Sequence, residues 1–402
     1  MLAVAHTVAS AQALLEIRSV IGADLRVQLL FTVAPDVFAD GVVWFLRARG
    51  EVVLPWSQAV RLDTDVVVAA GYGGLTALRA PIVVLPHGAG YGKYVPLSAQ
   101  RPLIAPAARC LRPPAGTPPH EDAGRREVYG LDCGRLARHG RVVPATIALS
   151  HHHQRDLLAA GCPCAVAATA VIGDLSWDRM TASVGLRAEY RAALGIGRRR
   201  LILIASTWGP HALLARHPQL YERLAQALCP DQHMLAGLLH PAAWTAHGRQ
   251  QIQAWLSSAR HHGLALIDPW QDWRALLVAA DGVIGDHGSI TTYAAALGRP
   301  VLQADLAVTE VHERSPQALL ALHAPHLRIS RDLAPQIHDA LDQDTRTQQA
   351  AVAAALTSHP GQAHRLLREI LYGHLRLSAP APPATPPPLS PPSLSTAGDQ
   401  WR

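Results

Sequence analysis

The chain of 402 residues is 49% hydrophobic and 16% charged, which is typical of a globular protein long enough for two domains. Its formal net charge of +6 at pH 7 is spread along the sequence and forms no dense basic run with aromatic residues between the charges, so nucleic acid is not an expected partner. No run of about 18 apolar residues occurs, so no transmembrane segment is predicted, whereas peripheral contact with a membrane stays open.

Short apolar runs rich in β-branched residues alternate with alanine- and leucine-rich segments in the first part of the chain. Several of these runs lack polar alternation, which is typical of strands covered on both faces of a parallel sheet. The alternation therefore predicts a doubly wound, Rossmann-like domain at residues 1–168. The predicted strands are 2–5, 26–33, 51–54, 65–70, 82–85 and 143–148, and the predicted helices include 7–20 and 150–160.

The same alternation returns after a transition within residues 165–200 and predicts a second Rossmann-like domain at 169–377. The fold class is therefore α/β with two doubly wound parallel sheets. Residues 378–402 are rich in proline and serine and are predicted to form a disordered tail, and residues 105–125 are predicted to form a long surface loop. The strands of the second domain are predicted at 201–205, 233–239, 264–267, 282–285 and 300–303, and its helices include 211–228, 248–262, 271–280 and 290–297.

The cysteines lack the spacing of a disulfide framework, which favours a reducing compartment, and a cytoplasmic location is expected. Cys162 and Cys164 follow a histidine triplet at 151–153, but they form C-x-C and no second pair follows. Because structural zinc sites usually use C-x2-C pairs, no metal site is predicted. The five cysteines are Cys110, Cys133, Cys162, Cys164 and Cys229.

Polar residues and turn formers follow directly after the predicted strands. Open parallel sheets bind ligands beyond the carboxyl ends of their strands, so these residues are candidates for a site. Histidine stands at four of eight such ends, as His6, His87, His240 and His287. A chain with 22 histidines also places some by chance, as the pair at 261–262 shows. His87 and His240 are favoured as functional because glycine or proline turns accompany both.

The stretch "VVLPHGAGYGKYVP" at 83–96 contains Lys93, which is the single lysine among 36 basic residues. It is not a P-loop, because His87 replaces the first glycine and Tyr94 replaces the final serine or threonine. It is not a dinucleotide-binding fingerprint either, because no G-x-G-x-x-G follows a strand and opens a helix. What remains is a histidine at a strand end and a glycine loop with a cation. Glycines such as Gly88 let backbone N–H groups approach a ligand, and a lysine supplies a mobile charge to phosphate.

The stretch at 276–302 predicts a strand that ends in an acidic residue and a glycine, followed by a helix that begins with hydroxyl residues. The N–H groups and positive dipole end of such a helix bind phosphate, and hydroxyl groups add donors. Capping of the helix by Ser289 is the simpler alternative, but it does not explain Gly288 beside it. The predicted phosphate-binding residues here are Asp286, Gly288, Ser289, Thr291 and Thr292.

Together these stretches resemble the CDP-glycerol glycerophosphotransferases that polymerise teichoic acids, a family of GT-B-type transferases. "DWRALLVAADGVIGDHGS" with "LGRP" is similar to the family's donor-side pattern, "LLHP" to its K-x-H-P, "ASTWGP" to its P-T-W-R, "HGAGYGK" to its H-G-T-P-L-K, and "VIGDLSWDRM" to its G-N-P-R-x-D hinge. The blocks lie in the family's order within residues 82–302. The residues that match are His87, Gly88, Lys93, Asp178, Thr207, Trp208, His240, Asp286 and Ser289.

The resemblance implies a GT-B architecture with two domains facing a cleft, and a transfer reaction there. His87 would act as general base on an acceptor hydroxyl, which would attack the phosphate next to the glycerol and release CMP. His240, with Ser289 and the helix that begins there, would hold the charge on the pyrophosphate, and Lys93 could assist. Thr207 and Trp208 are included in the donor site. No cofactor is implied, because the nucleotide-diphosphate donor is itself a substrate.

The sequence also departs from the family. Tyr293 stands where many GT-B donor sites have an acidic residue, and the lysine of K-x-H-P and the arginine of P-T-W-R are absent. The donor could therefore carry glycerophosphate or a sugar on CDP or UDP, and the hydroxyl acceptor could be a cell-surface polymer or a small metabolite. The sequence does not determine the oligomeric state.

Two other functions stay open. The first is a sugar-nucleotide enzyme similar to the nonhydrolysing UDP-N-acetylglucosamine 2-epimerases, which would need acidic catalytic residues. Asp174, Asp268 and Asp286 are the acids available to it. The second is a non-catalytic nucleotide- or sugar-binding module whose proline-rich tail recruits partners.

Overall fold

A computed structural model describes residues 1–95, 126–304, 307–382 and 384–392. The surface loop predicted at 105–125 and the last part of the predicted tail, 393–402, lie outside the described residues.

The first sheet contains seven parallel strands in the order β3–β2–β1–β4–β5–β8–β9. In register, Leu2 lies opposite Leu30 on one side and Val67 on the other, and all residues of β1 are buried. The strands are β1 (Leu2–Ala5), β2 (Leu30–Val33), β3 (Val53–Leu54), β4 (Val67–Ala69), β5 (Ile82–Val84), β8 (Thr146–Leu149) and β9 (Thr169–Val171), and β6 (Ala137–Arg138) with β7 (Arg141–Val142) forms a separate hairpin. The helices of this part are α1 (Val8–Leu15), α2 (Ile17–Ile21), α3 (Val42–Arg47), α4 (Trp56–Ala59), α5 (Cys133–Leu136) and α6 (His153–Gly161).

The second sheet contains five parallel strands in the order β12–β11–β10–β13–β14. Its central strand β10 is a continuous apolar run buried from Leu201 to Ser206, as a strand covered by helices on both faces should be. The strands are β10 (Arg200–Ser206), β11 (His233–Leu239), β12 (Leu264–Leu266), β13 (Gly282–Gly285) and β14 (Val301–Gln303). The helices are α7 (Leu175–Ala182), α8 (Arg187–Ala193), α9 (Leu213–Arg216), α10 (Pro218–Ala227), α11 (Pro241–His247), α12 (Arg249–Trp255), α13 (Ser257–His261), α14 (Trp273–Ala279), α15 (Ser289–Ala296), α16 (Pro316–His323), α17 (Leu333–Leu341), α18 (Arg346–Leu356) and α19 (Ala363–Leu375).

The two predicted doubly wound sheets are confirmed, with differences at the edges of the domains. β9 pairs with β8 and so belongs to the first sheet, although it follows the predicted boundary at 168. The final helix α19 returns to the first domain, where Leu367 and Leu371 share a core with Ile17. Within the described part of the chain, no helix has the length and apolar character needed to cross a membrane.

The proline-rich segment is ordered further than the sequence predicts. Residues 384–392 lie on the second domain, where Leu389 is buried in the core. The backbone N–H of Leu389 donates to the Ser183 hydroxyl over 2.8 Å, and its carbonyl accepts from the Tyr190 hydroxyl over 2.6 Å. Arg179 donates to the carbonyl of Pro387 over 3.1 Å. The prediction of disorder from residue 378 is therefore corrected here: donors on the domain satisfy the backbone that the segment itself cannot pair.

A buried charge cluster joins the two domains around Glu16, which lies between α1 and α2 and is 1% exposed. One carboxylate oxygen accepts from Arg274 of α14 over 2.7 Å and from Arg179 of α7 over 2.9 Å. Burial alone would raise the pKa of Glu16, but the charges of Arg274 and Arg179, with His364 of α19, lower it to about 2. The cluster thus ties α1 and α2 to α7, which follows the first sheet, and to α14 of the second domain.

Neutralising Glu16 should destabilise the protein in a pH-dependent way. Because the folded pKa of about 2 lies below the unfolded value of 4.5, this carboxylate stabilises the fold fully above pH 4.5 and loses that effect as pH falls towards 2. Glu16→Gln should lower the free energy of unfolding by about 3 kcal/mol at pH 7. Urea titrations at pH 7, 5 and 3 would show the gap to wild type shrinking with acid.

The matched control is Glu189→Gln, which removes an exposed carboxylate of α8 and should leave stability almost unchanged. An equal loss in Glu16→Gln at pH 7 and pH 3 would mean that packing, and not the charge, carries the effect.

Candidate functional site

A cleft of about 1910 Å³ lies between the carboxyl ends of the two sheets. Residues that follow β1, β4 and β5 line one wall, and residues that follow β10, β11 and β13 line the other. All but one of the site residues predicted from the sequence line this cleft. They are His87, Gly88, Lys93, Thr207, Trp208, His240, Asp286, Gly288, Ser289 and Thr291.

Thr292 is the exception, because its hydroxyl donates to the carbonyl of Gly288 over 3.2 Å inside the helix. Its side chain is fully buried and does not line the cleft. Successive helix positions point about 100° apart, so the side chain of Thr292 is turned away from the direction of Thr291. Thr291 does line the cleft, and its buried hydroxyl oxygen has no hydrogen-bond partner among the described residues. The structure therefore keeps Thr291 as a candidate and gives Thr292 an internal role.

The glycine loop after β5 docks on the second domain. The backbone N–H of Ala89 donates to the Ser289 hydroxyl over 3.1 Å, and a Cβ on Gly88 would lie 2.7 Å from that same oxygen. Further along, the N–H of Tyr94 donates to the carbonyl of Glu310 over 3.0 Å. Gly90 has a φ of 67°, a conformation that favours glycine. Gly88 therefore lets the two domains approach, in addition to the role in ligand approach that the sequence suggests, whereas Gly90 fits against Ser150 and Gln154 of its own domain.

Lys93 places its ammonium group between the domains. Its Nζ donates to the Thr207 hydroxyl over 2.8 Å. Burial lowers the pKa of Lys93, while the nearby charges of Asp286 and Glu310 act to raise it. The chain's single lysine is thus directed at the loop after β10, within the cleft.

His87 offers a free lone pair on its ring. A neutral imidazole carries its proton on one ring nitrogen and keeps a lone pair on the other. Desolvation between the two domains lowers the pKa of His87, even though its surface stays open to the cleft, and the charges of His6 and Lys93 lower it further. At neutral pH this imidazole is a neutral base.

A backbone hydrogen bond defines which ring nitrogen of His240 carries the proton. Its Nδ1 accepts a hydrogen bond of 3.1 Å from the backbone N–H of Ala242, so the neutral ring carries its proton on Nε2. Pro241 at the start of α11 fixes this turn. Burial, and then the charges of Lys93 and His87, lower the pKa of His240 to about 3. His240 is therefore a neutral N–H donor, suited to hold an anionic oxygen.

Asp286 organises the second-domain wall of the cleft through backbone hydrogen bonds. Its carboxylate accepts from the N–H groups of Thr207 (2.8 Å), Leu213 (2.9 Å) and Gly288 (3.0 Å) and is fully buried. Burial raises the pKa of Asp286 to about 6, although those N–H donors and Lys93 act against the rise. The structure thus gives Asp286 a positioning role, since its oxygens already have partners.

The start of α15 is open to a ligand. Gly288 is the residue before the helix, and no described side chain caps it. The Ser289 hydroxyl contacts the loop of the other domain and does not cap α15, so the simple capping hypothesis is wrong. Beside it, His287 is buried, and its Nδ1 has no hydrogen-bond partner among the described residues. Burial, with the charges of Lys93 and His211, lowers the pKa of His287 to about 3.

The sequence did not include His287 or His6 among its chosen site residues, although both stand at strand ends. His6 lines the cleft, and its Nε2 donates to the carbonyl of Gly73 over 2.8 Å. Both could have been chosen by applying the strand-end rule to every histidine alike.

The three acids considered for epimerase chemistry are all engaged. Asp174 accepts a hydrogen bond of 2.7 Å from the hydroxyl of Tyr293, the residue that stands where many GT-B donor sites have an acid. Asp174 and Tyr293 are therefore partners of each other. Asp268 pairs with Arg249 over 2.9 Å. Asp286 holds the three backbone N–H groups described above. No acid of this set has a free carboxylate directed at the cleft.

No protein-family model matches the chain, and no curated protein matches it in sequence. Solved structures do match. The wall teichoic acid polymerase TagF has a TM-score of 0.60 at 13% identity, with 94% of this chain and 89% of that chain covered. The fold is GT-B-like. A putative UDP-N-acetylglucosamine 2-epimerase from Listeria monocytogenes has a TM-score of 0.57 at 14% identity, covering 94% and 97% of the two chains.

A third structure, MnaA of S. aureus with UDP, has a TM-score of 0.55 at 16% identity and covers 95% of this chain and 98% of that chain. At such identities the likeness establishes the architecture alone. The GT-B-like fold expected from the resemblance is confirmed, and its neighbours include enzymes that are named for nucleotide-linked substrates.

The close approach of Gly88 to Ser289 can be tested by a double-mutant cycle. Gly88→Ala places a Cβ 2.7 Å from the Ser289 hydroxyl and should lower the free energy of unfolding by about 1–3 kcal/mol through overpacking. In a Ser289→Ala background the nearest Ser289 atom is Cβ at 3.6 Å, so most of that loss should disappear. Urea unfolding of the four proteins measures the coupling.

Gly185→Ala is the matched control, because a Cβ there meets no atom within 4 Å. If Gly88→Ala costs the same with and without the Ser289 hydroxyl, the two domains do not meet at this loop in solution.

Proposed function

We propose that this GT-B-like chain is a nucleotide-diphosphate-dependent transferase, with CDP-glycerol as the leading donor and a hydroxyl compound as the acceptor. The observation that carries the proposal is the pairing of two neutral imidazoles across one cleft, one with a lone pair and one with an N–H. Desolvation keeps His87 neutral, and the hydrogen bond from Ala242 places the proton of His240 on Nε2. A base and a donor for an anionic oxygen are the two groups that transfer to a hydroxyl requires.

The reaction follows from this arrangement. His87 takes the proton of the acceptor hydroxyl, whose oxygen forms a bond to the phosphorus next to the glycerol. The bond from that phosphorus to the bridging oxygen breaks, and CMP leaves with the electron pair. His240 donates its Nε2–H to the charge that develops, and Lys93 and the start of α15 support the same phosphates. The donor is a substrate, so no separate cofactor is proposed.

The structural likeness to a putative 2-epimerase supports a second candidate on the same scaffold, in which UDP-N-acetylglucosamine is the substrate. The occupied state of Asp174, Asp268 and Asp286 is the reason to rank it second. A non-catalytic binding module is the third candidate, and it predicts ligand binding without turnover.

The three candidates can be separated by incubating the purified chain with CDP-glycerol, UDP-N-acetylglucosamine or a GDP-sugar, each with and without a hydroxyl acceptor. Chromatography of nucleotides should show CMP released from CDP-glycerol in an acceptor-dependent manner. His87→Ala and His240→Ala should lower kcat/KM by about 100-fold or more. His261→Ala, an exposed histidine of α13, is the control and should retain full activity.

Release in His87→Ala and His240→Ala at the wild-type rate would overturn the assigned roles. Formation of the C2 epimer of UDP-N-acetylglucosamine without nucleotide release would favour the second candidate. Calorimetric binding without any product would favour the third.

The pH profile gives an independent check on the two histidines. His87 must be neutral to accept a proton, and its pKa is lowered below 6.5, so kcat/KM should rise with pH through one ionisation below 6.5 and then level off. His240 is already neutral there because its pKa is about 3. A fall in kcat/KM between pH 6.5 and 8 would instead indicate that a protonated histidine is required.

A further inference from the structure

Three cysteines meet on the first domain, two from one C-x-C motif and the third from an earlier part of the sequence. Cys133 begins α5, and Cys162 and Cys164 lie just after α6. The sulfur of Cys133 lies 2.7 Å from that of Cys162, which lies 3.6 Å from that of Cys164. All three sulfur atoms lie within 4.8 Å of one another. The sequence showed C-x-C without a second pair, and the fold supplies the missing thiol from 29 residues earlier in the chain.

The surroundings of this cluster are apolar. Cys162 is fully buried in a core with Leu136 and Leu158, and Cys133 and Cys164 pack against that core while half-buried. Three thiolates in such a place would repel one another with little water to screen them, so the thiolate form requires a cation among them. The half-buried sulfurs leave a route by which an ion can enter.

We propose that Cys133, Cys162 and Cys164 form a binding site for one thiophilic metal ion, Zn²⁺ or Cu⁺. Thiolate sulfur selects these soft ions over Mg²⁺ or Ca²⁺. Zn–S bonds of about 2.3 Å in tetrahedral geometry separate the sulfurs by roughly 3.8 Å, close to the spacing of Cys162 and Cys164. The sulfur of Cys133 needs to move outward by about 1 Å to complete the same geometry.

The ion would stiffen one wall of the cleft. It would link the start of α5 to the end of α6, and the neighbouring residues Gly134 and Gly161 line the cleft. Asp132, directly before Cys133, accepts from the N–H groups of Gly130 and Arg135 over 3.1 Å each. The site is separate from His87 and His240, so the proposal does not depend on the proposed transferase function.

The test uses the full-length chain carrying Cys110→Ser and Cys229→Ser, in which the three clustered cysteines are the only ones left. After reduction with a phosphine, the protein is titrated with Cd²⁺, which gives an ultraviolet thiolate charge-transfer band that histidine ligands do not give. Native mass spectrometry with Zn²⁺ should show one ion per chain, and one equivalent should raise the Tm because the ion binds the folded state.

Adding Cys162→Ser should remove the charge-transfer band and the Tm shift and weaken binding at least 100-fold. Cys164→Ser, at a half-buried position, provides the same test if Cys162→Ser does not fold. Failure to bind Cd²⁺ and Zn²⁺, or binding that survives both substitutions, would overturn the proposal. So would a Cys133–Cys162 disulfide in the protein isolated without reductant, if no ion is taken up after reduction.

Discussion

The structure depends on the contact between the glycine loop after β5 and the start of α15. A hydrogen bond from Ala89 to Ser289 and a contact from Lys93 to Thr207 hold the loop of one domain on the other. Gly88 permits this approach only because it lacks a Cβ. Because His87 begins this loop and His240 lies on the opposite wall, the contact sets the distance between the two imidazoles. Proton removal by His87 and stabilisation of the phosphate charge by His240 in one reaction both require that distance to be short.

Desolvation, and not a neighbouring carboxylate, determines the protonation of the two imidazoles. A carboxylate beside a histidine raises its pKa and favours the charged ring. Here His240 accepts from a backbone N–H, and burial is the largest cause of the lowered pKa of both rings. A neutral ring supplies both a lone pair and an N–H, so one residue type can serve as a base on one wall of the cleft and as a donor on the other.

Periodicity and strand-end logic were sufficient for the two sheets and for the residues at their carboxyl ends, because those features are local, whereas the cleft between the domains was expected from the family resemblance. His87 and His240 each follow an apolar run, and the rule for parallel sheets places both at the cleft. Features that join distant segments could not be predicted. Glu16 and Arg274 are 258 residues apart, and Cys133 meets Cys162 only through the packing of α5 against the end of α6. The order at Leu389 depends likewise on donors from Ser183 and Tyr190, which proline content cannot reveal.

The cleft contains fewer fixed cations than the motifs it resembles, and its buried histidines compensate for this. Burial and the charge of Lys93 lower the pKa of His240 and His287 in the absence of ligand. A diphosphate would reverse the second effect, since its negative charge raises the pKa of any nearby imidazole. The attraction between an anion and these rings would then add to that of Lys93, while the empty cleft avoids the cost of further buried, unpaired cations. Neutral donors that are already oriented also need little rearrangement when charge develops on the leaving phosphate.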